Sequence, residues 1–174
     1  MLRRMHTLPQ YRPLAQIDRL HLTCTGTPDG ESLTLDEIDA LDLVPVLRRS
    51  DVPLQSLDPR LAGIAATSPL HRFLAAHFYV DPLGVVTVGR HPEEIPGLVA
   101  APRTALLVCL LGTRRYSAAA WSALRVLLRG RPAVEHYRAQ PGVVPDHLPL
   151  SGDPGFDVAA WVAADFQPLP GHLL

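Results

Sequence analysis

HFYVDPLGVVTVGR at residues 77–90, followed by ALLVCLLG at residues 105–112, decides the fold. In the first stretch, two runs rich in β-branched and aromatic residues flank Asp81-Pro82-Leu83-Gly84. Proline at the second turn position and glycine at the fourth suit a type I turn closing a hairpin. The second stretch is apolar throughout and ends in glycine. A short run with no polar face predicts a central strand buried on both sides. His77–Val80, Val85–Val88 and Ala105–Leu111 are therefore expected as strands of one sheet, with Ala105–Leu111 in its interior.

Upstream lies IDRLHLTCTGTP, residues 17–28. Leu20, Leu22 and Cys24 alternate with His21, Thr23 and Thr25, the period of a half-buried strand over Leu20–Thr25. Gly26, Pro28 and Gly30 end it. Thr34 with Glu37 makes a capping box, and Leu35, Ile38, Leu41 and Leu43 follow on one face of a short helix. Prolines 45, 53, 59 and 69 punctuate the next segment. Leu70, Phe73 and Leu74 carry the spacing of a second helix over Pro69–Ala76. Downstream, Ser117 is an N-cap for a helix with Trp121, Leu124, Leu127 and Leu128 on one face. Val143 and Val144 suit one more short strand. Asp157 or its neighbour starts a last helix with Val158, Trp161 and Val162.

The chain has 174 residues, 47% of them hydrophobic and 19% charged, which suits one compact domain with a real core. Residues 1–16 read as an N-terminal arm and 17–174 as a single domain. A net charge of −1 gives no electrostatic footprint for nucleic acid. All sixteen basic residues are arginines, so no lysine serves any catalytic role. No stretch reaches the roughly 18–20 apolar residues of a membrane span. The basic start is interrupted by Pro9, Arg12 and Pro13, so no secretory signal is read there. Cys24 and Cys109 both lie in apolar runs and are expected as buried thiols. No glycine-rich phosphate loop, nucleophile elbow or zinc-finger spacing occurs.

Three segments in this order resemble the N-acetylmuramoyl-L-alanine amidases of the phage-lysozyme and peptidoglycan-recognition type. They are LTCTGTP at 22–28, the 77–90 hairpin, and VCLLG at 108–112 followed by YSAAAWSALRVLL and DPGFDVAAWV. The resemblance spans roughly residues 17–166. It implies an α/β fold with a mixed central sheet of about five strands flanked by helices. The segment around 44–70 is longer than that pattern requires and reads as an insertion. The resemblance also implies metal-assisted amide hydrolysis, in which three protein ligands hold Zn²⁺ and leave one position open for water.

Followed residue by residue, the family pattern is not met. The first-ligand position falls on Thr23. The second falls on Pro145 or Asp146, with His147 reachable by a shift of one or two residues. The third falls on Asp153. The position of the assisting tyrosine is Ala76, that of a histidine after the hairpin is Leu98, and that of an assisting lysine is Ser151. His77 matches a structural histidine of the family. Thr23, Ala76, Leu98, Asp146 and Ser151 are thus groove candidates, with no catalytic residue and no metal assigned. A displaced zinc site would draw on His21, His147 and Asp153. His21 shares the face of Thr23 and lies about 6.5–7 Å along the strand.

The expectation is a catalytically inactive amidase-like domain that acts as a binding or structural module. Its partner is a peptidoglycan fragment or a protein, with a phage or phage-tail-like particle as one setting. The alternative is an active amidase with the displaced site.

Overall fold

The computed structural model describes residues 11–39, 74–96, 103–128, 134–136 and 153–174. Its centre is a five-stranded sheet: β1 (Arg19–Cys24), β2 (Phe78–Val80), β3 (Val86–Val88), β4 (Ala105–Leu110) and β5 (Val134–His136), in the spatial order β3-β2-β4-β1-β5. The sheet is mixed. β2 and β3 pair antiparallel, while β4 pairs parallel with β2 and β1, and β1 parallel with β5. All six β4 residues are buried, as an apolar run between two partner strands requires.

The hairpin forms as its turn chemistry dictates. The Gly84 N–H donates to the Asp81 carbonyl at 3.0 Å, and the Asp81 carboxylate accepts from the N–H groups of Leu83 and Val85. Gly84 has φ +79, and a Cβ there would lie 2.7 Å from the Ala119 carbonyl oxygen, so glycine is required on both counts.

Period-2 alternation divides β1 between two cores. Leu20, Leu22 and Cys24 join Leu106, Val108 and Leu110 on one face. Two helices cover that face, α1 (Ala118–Leu128) and α2 (Val158–Ala163). Ser117 caps α1 by accepting from the Ala120 N–H at 3.0 Å, and Asp157 caps α2 by accepting from the Ala160 N–H at 3.1 Å. Trp121, Trp161, Phe156 and Tyr116 meet there with ring centroids 4.8–6.1 Å apart. On the opposite face, Leu107, Cys109, Leu111 and Tyr79 pack with Ile38, Leu74, Ala75 and Ala76. Ile38 belongs to a helical segment at 35–39 that opens with the expected capping box. The Thr34 N–H donates to the Glu37 carboxylate at 2.8 Å, and the Glu37 N–H to the Thr34 hydroxyl at 3.3 Å. Both thiols, Cys24 and Cys109, are buried.

Two expectations change. Residues 74–76 are not helical, because their backbone groups are claimed from outside the segment. The Leu74 N–H donates to Asp39, the Ala76 N–H to the Tyr79 hydroxyl, and the Leu74 and Ala76 carbonyls accept from Arg90. The rest of the expected 69–76 helix lies outside the described residues, as do Leu41, Leu43, Val143, Val144 and the 44–70 segment. The fifth strand is 134–136, a stretch with no periodic signal of its own. It is placed by its parallel register on β1, where His21 pairs with Glu135.

Candidate groove on the second sheet face

The candidate site lies on the face of the sheet away from α1 and α2. β1 carries His21 and Thr23 there, in register with Leu107 and Cys109 of β4. Thr23 is wholly buried, and its hydroxyl has no hydrogen-bond partner among the described residues. His21 is 6% exposed, close to the surface of the same face. Ala76 is also wholly buried. The Tyr79 hydroxyl accepts from the Ala76 N–H at 3.1 Å, so a tyrosine sits over the position where the sequence has alanine. A Cβ at Gly89 would lie 2.6 Å from the Tyr79 ring, which fixes how closely hairpin and ring approach.

Asp153 comes to the C-terminal end of β1. Its backbone carbonyl lies 3.1 Å from the Cys24 Sγ, and its carboxylate accepts from the Gly155 N–H at 2.8 Å. The next residue, Pro154, has its carbonyl bound by the Tyr116 hydroxyl at 2.7 Å. Burial holds that hydroxyl far above the ordinary tyrosine range, so it stays a donor. A second carboxylate, Asp29, fastens the loop after β4 by accepting from the Thr113 and Arg114 N–H groups. Burial pushes its carboxyl up, but those donors and Arg115 more than reverse this, and the group sits below its usual range.

The chain thus brings Thr23 and Asp153, expected from the sequence at ligand positions, to the same end of β1. The two described side chains, Thr23 and Asp153, do not by themselves make a zinc donor set. A threonine hydroxyl is not a competent neutral-pH ligand, and tight Zn²⁺ binding needs three protein ligands in a tetrahedral array. Among the described residues, no group of three His, Cys, Asp or Glu side chains is placed to hold a metal ion. Leu98, Asp146, His147 and Ser151 lie outside the described residues.

His77 has a clear structural role. It is fully buried at the head of β2. Its Nδ1 accepts from the Leu107 N–H at 2.8 Å and its Nε2 donates to the Glu94 carbonyl at 2.7 Å, which fixes the neutral Nε2–H tautomer. Burial lowers its pKa to about 4, with the nearby Arg12 and Arg90 charges acting the same way. Arg90 donates to the Leu74 carbonyl and approaches the Glu94 carboxylate at 3.8 Å, so it ties the end of the hairpin to residue 74 and the following loop. Trp121 and Trp161 are 2% and 0% exposed, as core anchors rather than sugar platforms.

Sequence reasoning missed two residues. Tyr79 carried the signal that should have placed it inward, the period-2 alternation of its own strand. Arg12 carried none, because a buried arginine in an irregular arm follows from tertiary contacts alone.

Solved structures similar to this chain include the following three. N-acetylmuramoyl-L-alanine amidase LysC from Clostridium intestinale URNW shares 11% identity, over 75% of this chain and 77% of that chain, with a TM-score of 0.48. The ectodomain of the Drosophila transmembrane receptor PGRP-LCa shares 16% identity, over 97% and 94%, with a TM-score of 0.46. A selenomethionine AmpD derivative shares 17% identity, over 90% and 98%, with a TM-score of 0.42. No protein-family model matches the sequence, and no curated protein matches it. Likenesses of this degree carry no information about the chemistry of the groove.

Proposed function

We propose that this chain is an amidase-like domain that binds without cleaving. It serves as a recognition or structural module for a peptidoglycan fragment or a protein partner, such as a neighbour in a phage-tail-like assembly. The observation that carries this reading is Thr23. The sequence resemblance puts it at the strand position of the first zinc ligand, and in the structure it is wholly buried, with a hydroxyl that finds no partner among the described residues. Without a bound metal there is no low-pKa water to attack an amide. The groups that would assist at the oxyanion are also replaced, by Ala76 and Ser151, and the chain has no lysine to substitute. One oxyanion donor is typically worth about 2.7–4 kcal/mol, so losing the metal and two donors together removes most of the rate. A scaffold that has lost its chemistry still offers a groove, and function resides in the site rather than the fold.

The test is incubation of the purified protein with peptidoglycan at several zinc concentrations, followed by sedimentation and assay of released stem peptide. Co-sedimentation without release is expected. Metal-dependent release that disappears in Asp153→Ala would overturn the reading in favour of a displaced site on His21, His147 and Asp153.

A further inference from the structure

The N-terminal arm and the loop after the hairpin are tied to each other and to one buried imidazole. The Arg12 N–H donates to the Glu93 carbonyl at 2.7 Å, and Tyr11 bridges to Glu94 as a single antiparallel pair. The Arg12 guanidinium is itself buried. It donates through Nη1 to the Glu94 carbonyl and through Nη2 to the Ala105 carbonyl at 2.6 Å. The Glu94 carbonyl therefore receives two donors, one from Arg12 and one from His77 Nε2. On its other side His77 accepts from the β4 backbone at Leu107. Arm, loop, imidazole and central strand form one continuous hydrogen-bonded unit.

We propose that residues 11–16 and the 91–96 loop form a strap over His77 that detaches as a unit when His77 takes up a proton. Three features argue for it. A protonated Nδ1 points a second N–H at the Leu107 N–H, so the bond to β4 becomes a donor–donor clash. The imidazolium gains charge beside two guanidiniums, Arg12 from the arm and Arg90 from the end of the hairpin. The Glu94 carboxylate already faces Arg90, the Asp39 carboxylate accepts from the Leu74 N–H, and neither β2 nor β4 carries a charged residue. Finally, a fully buried cation regains water only if its cover moves. The cover held by the fewest regular elements is the strap, since α1 and α2 lie on the other face.

The direction follows from linkage. The closed state holds His77 neutral with a pKa near 4, whereas an uncovered histidine titrates near 6.5. Closure is fully favoured above the ordinary histidine range and weakens as pH falls from about 6.5 towards about 4, by about tenfold in the opening equilibrium per pH unit.

Hydrogen–deuterium exchange on the full chain between pH 7 and pH 4.5, corrected for intrinsic rates, tests this. Peptides covering 11–16 and 91–96 are expected to lose protection together, about tenfold per unit below pH ~6.5, while α1 and the β4 amides other than Leu107, whose N–H partner is His77 itself, keep theirs. His77→Gln, which cannot become charged, is expected to give a flat profile. Should that variant fail to fold, the imidazole titration of His77 in the unaltered protein is followed by NMR, with the inflection expected to track strap opening. Unchanged strap protection overturns the proposal. So do simultaneous loss of protection at the β4 amides beyond Leu107, a pH-dependent strap in His77→Gln, or a His77 that titrates while the strap stays closed.

Discussion

The two faces of the sheet differ in how much polar material they bury beside an apolar cluster. Under α1 and α2 the interior is aliphatic and aromatic: Leu20, Leu22, Val108 and Leu110 beneath Trp121, Phe156 and Trp161. On the far face the buried set includes His21, Thr23, Thr25, His77, Asp39 and the Tyr79 hydroxyl. Some of these are fully used. Thr25 donates to and accepts from Gly112, and His77 spans Leu107 and Glu94. The Thr23 hydroxyl is not matched in this way among the described residues. Burying an unmatched hydroxyl costs about 1–3 kcal/mol, a burden that a face built only for packing would shed. The helix face is packed by apolar groups, while the other face adds buried polar groups to its own apolar cluster.

That contrast can be broken most directly at the aromatic cluster. Trp161→Ala should lower stability by about 3–5 kcal/mol in urea unfolding, because a wholly buried ring leaves a cavity. A loss below about 1 kcal/mol would mean that the helix face is not the structural half. At Gly84, alanine must adopt φ +79 and meet the Ala119 carbonyl, so Gly84→Ala should cost about 2 kcal/mol or more and should loosen α1 against the hairpin. Wild-type thermal stability for that variant would contradict the close approach. The smallest effect sharpens the comparison from the other side. Thr23→Val keeps the shape and removes the hydroxyl, so it should be neutral or stabilise by up to about 1 kcal/mol. A loss above about 1 kcal/mol would show that the hydroxyl has a partner after all.

How much was legible in the sequence follows the range of each signal. The hairpin, the all-apolar strand β4 and the Thr34, Ser117 and Asp157 caps are local patterns, and each formed where the residues placed it. The alternation in β1 assigned Leu20, Leu22 and Cys24 to one face and His21 and Thr23 to the other. What failed depended on distant partners. Residues 74–76 have helical spacing but are drawn out by Asp39, Tyr79 and Arg90. Strand β5 has three residues and gains its identity only by pairing with β1. Of the groove candidates, Thr23 and Ala76 are both buried, while Leu98, Asp146 and Ser151 lie outside the described residues. Arg12 was invisible because a buried guanidinium is defined by the two carbonyls it finds, not by its neighbours in sequence.

The central proposal is a domain that binds without a zinc site. Metal content of the protein purified without chelator, measured by inductively coupled plasma mass spectrometry before and after equilibration with zinc, addresses it. The account predicts no stoichiometric zinc in either case, since a threonine stands where the resemblance expects an imidazole and one carboxylate does not hold Zn²⁺ tightly without partners. One tightly bound zinc per chain, lost on substituting His21, His147 or Asp153, would contradict it.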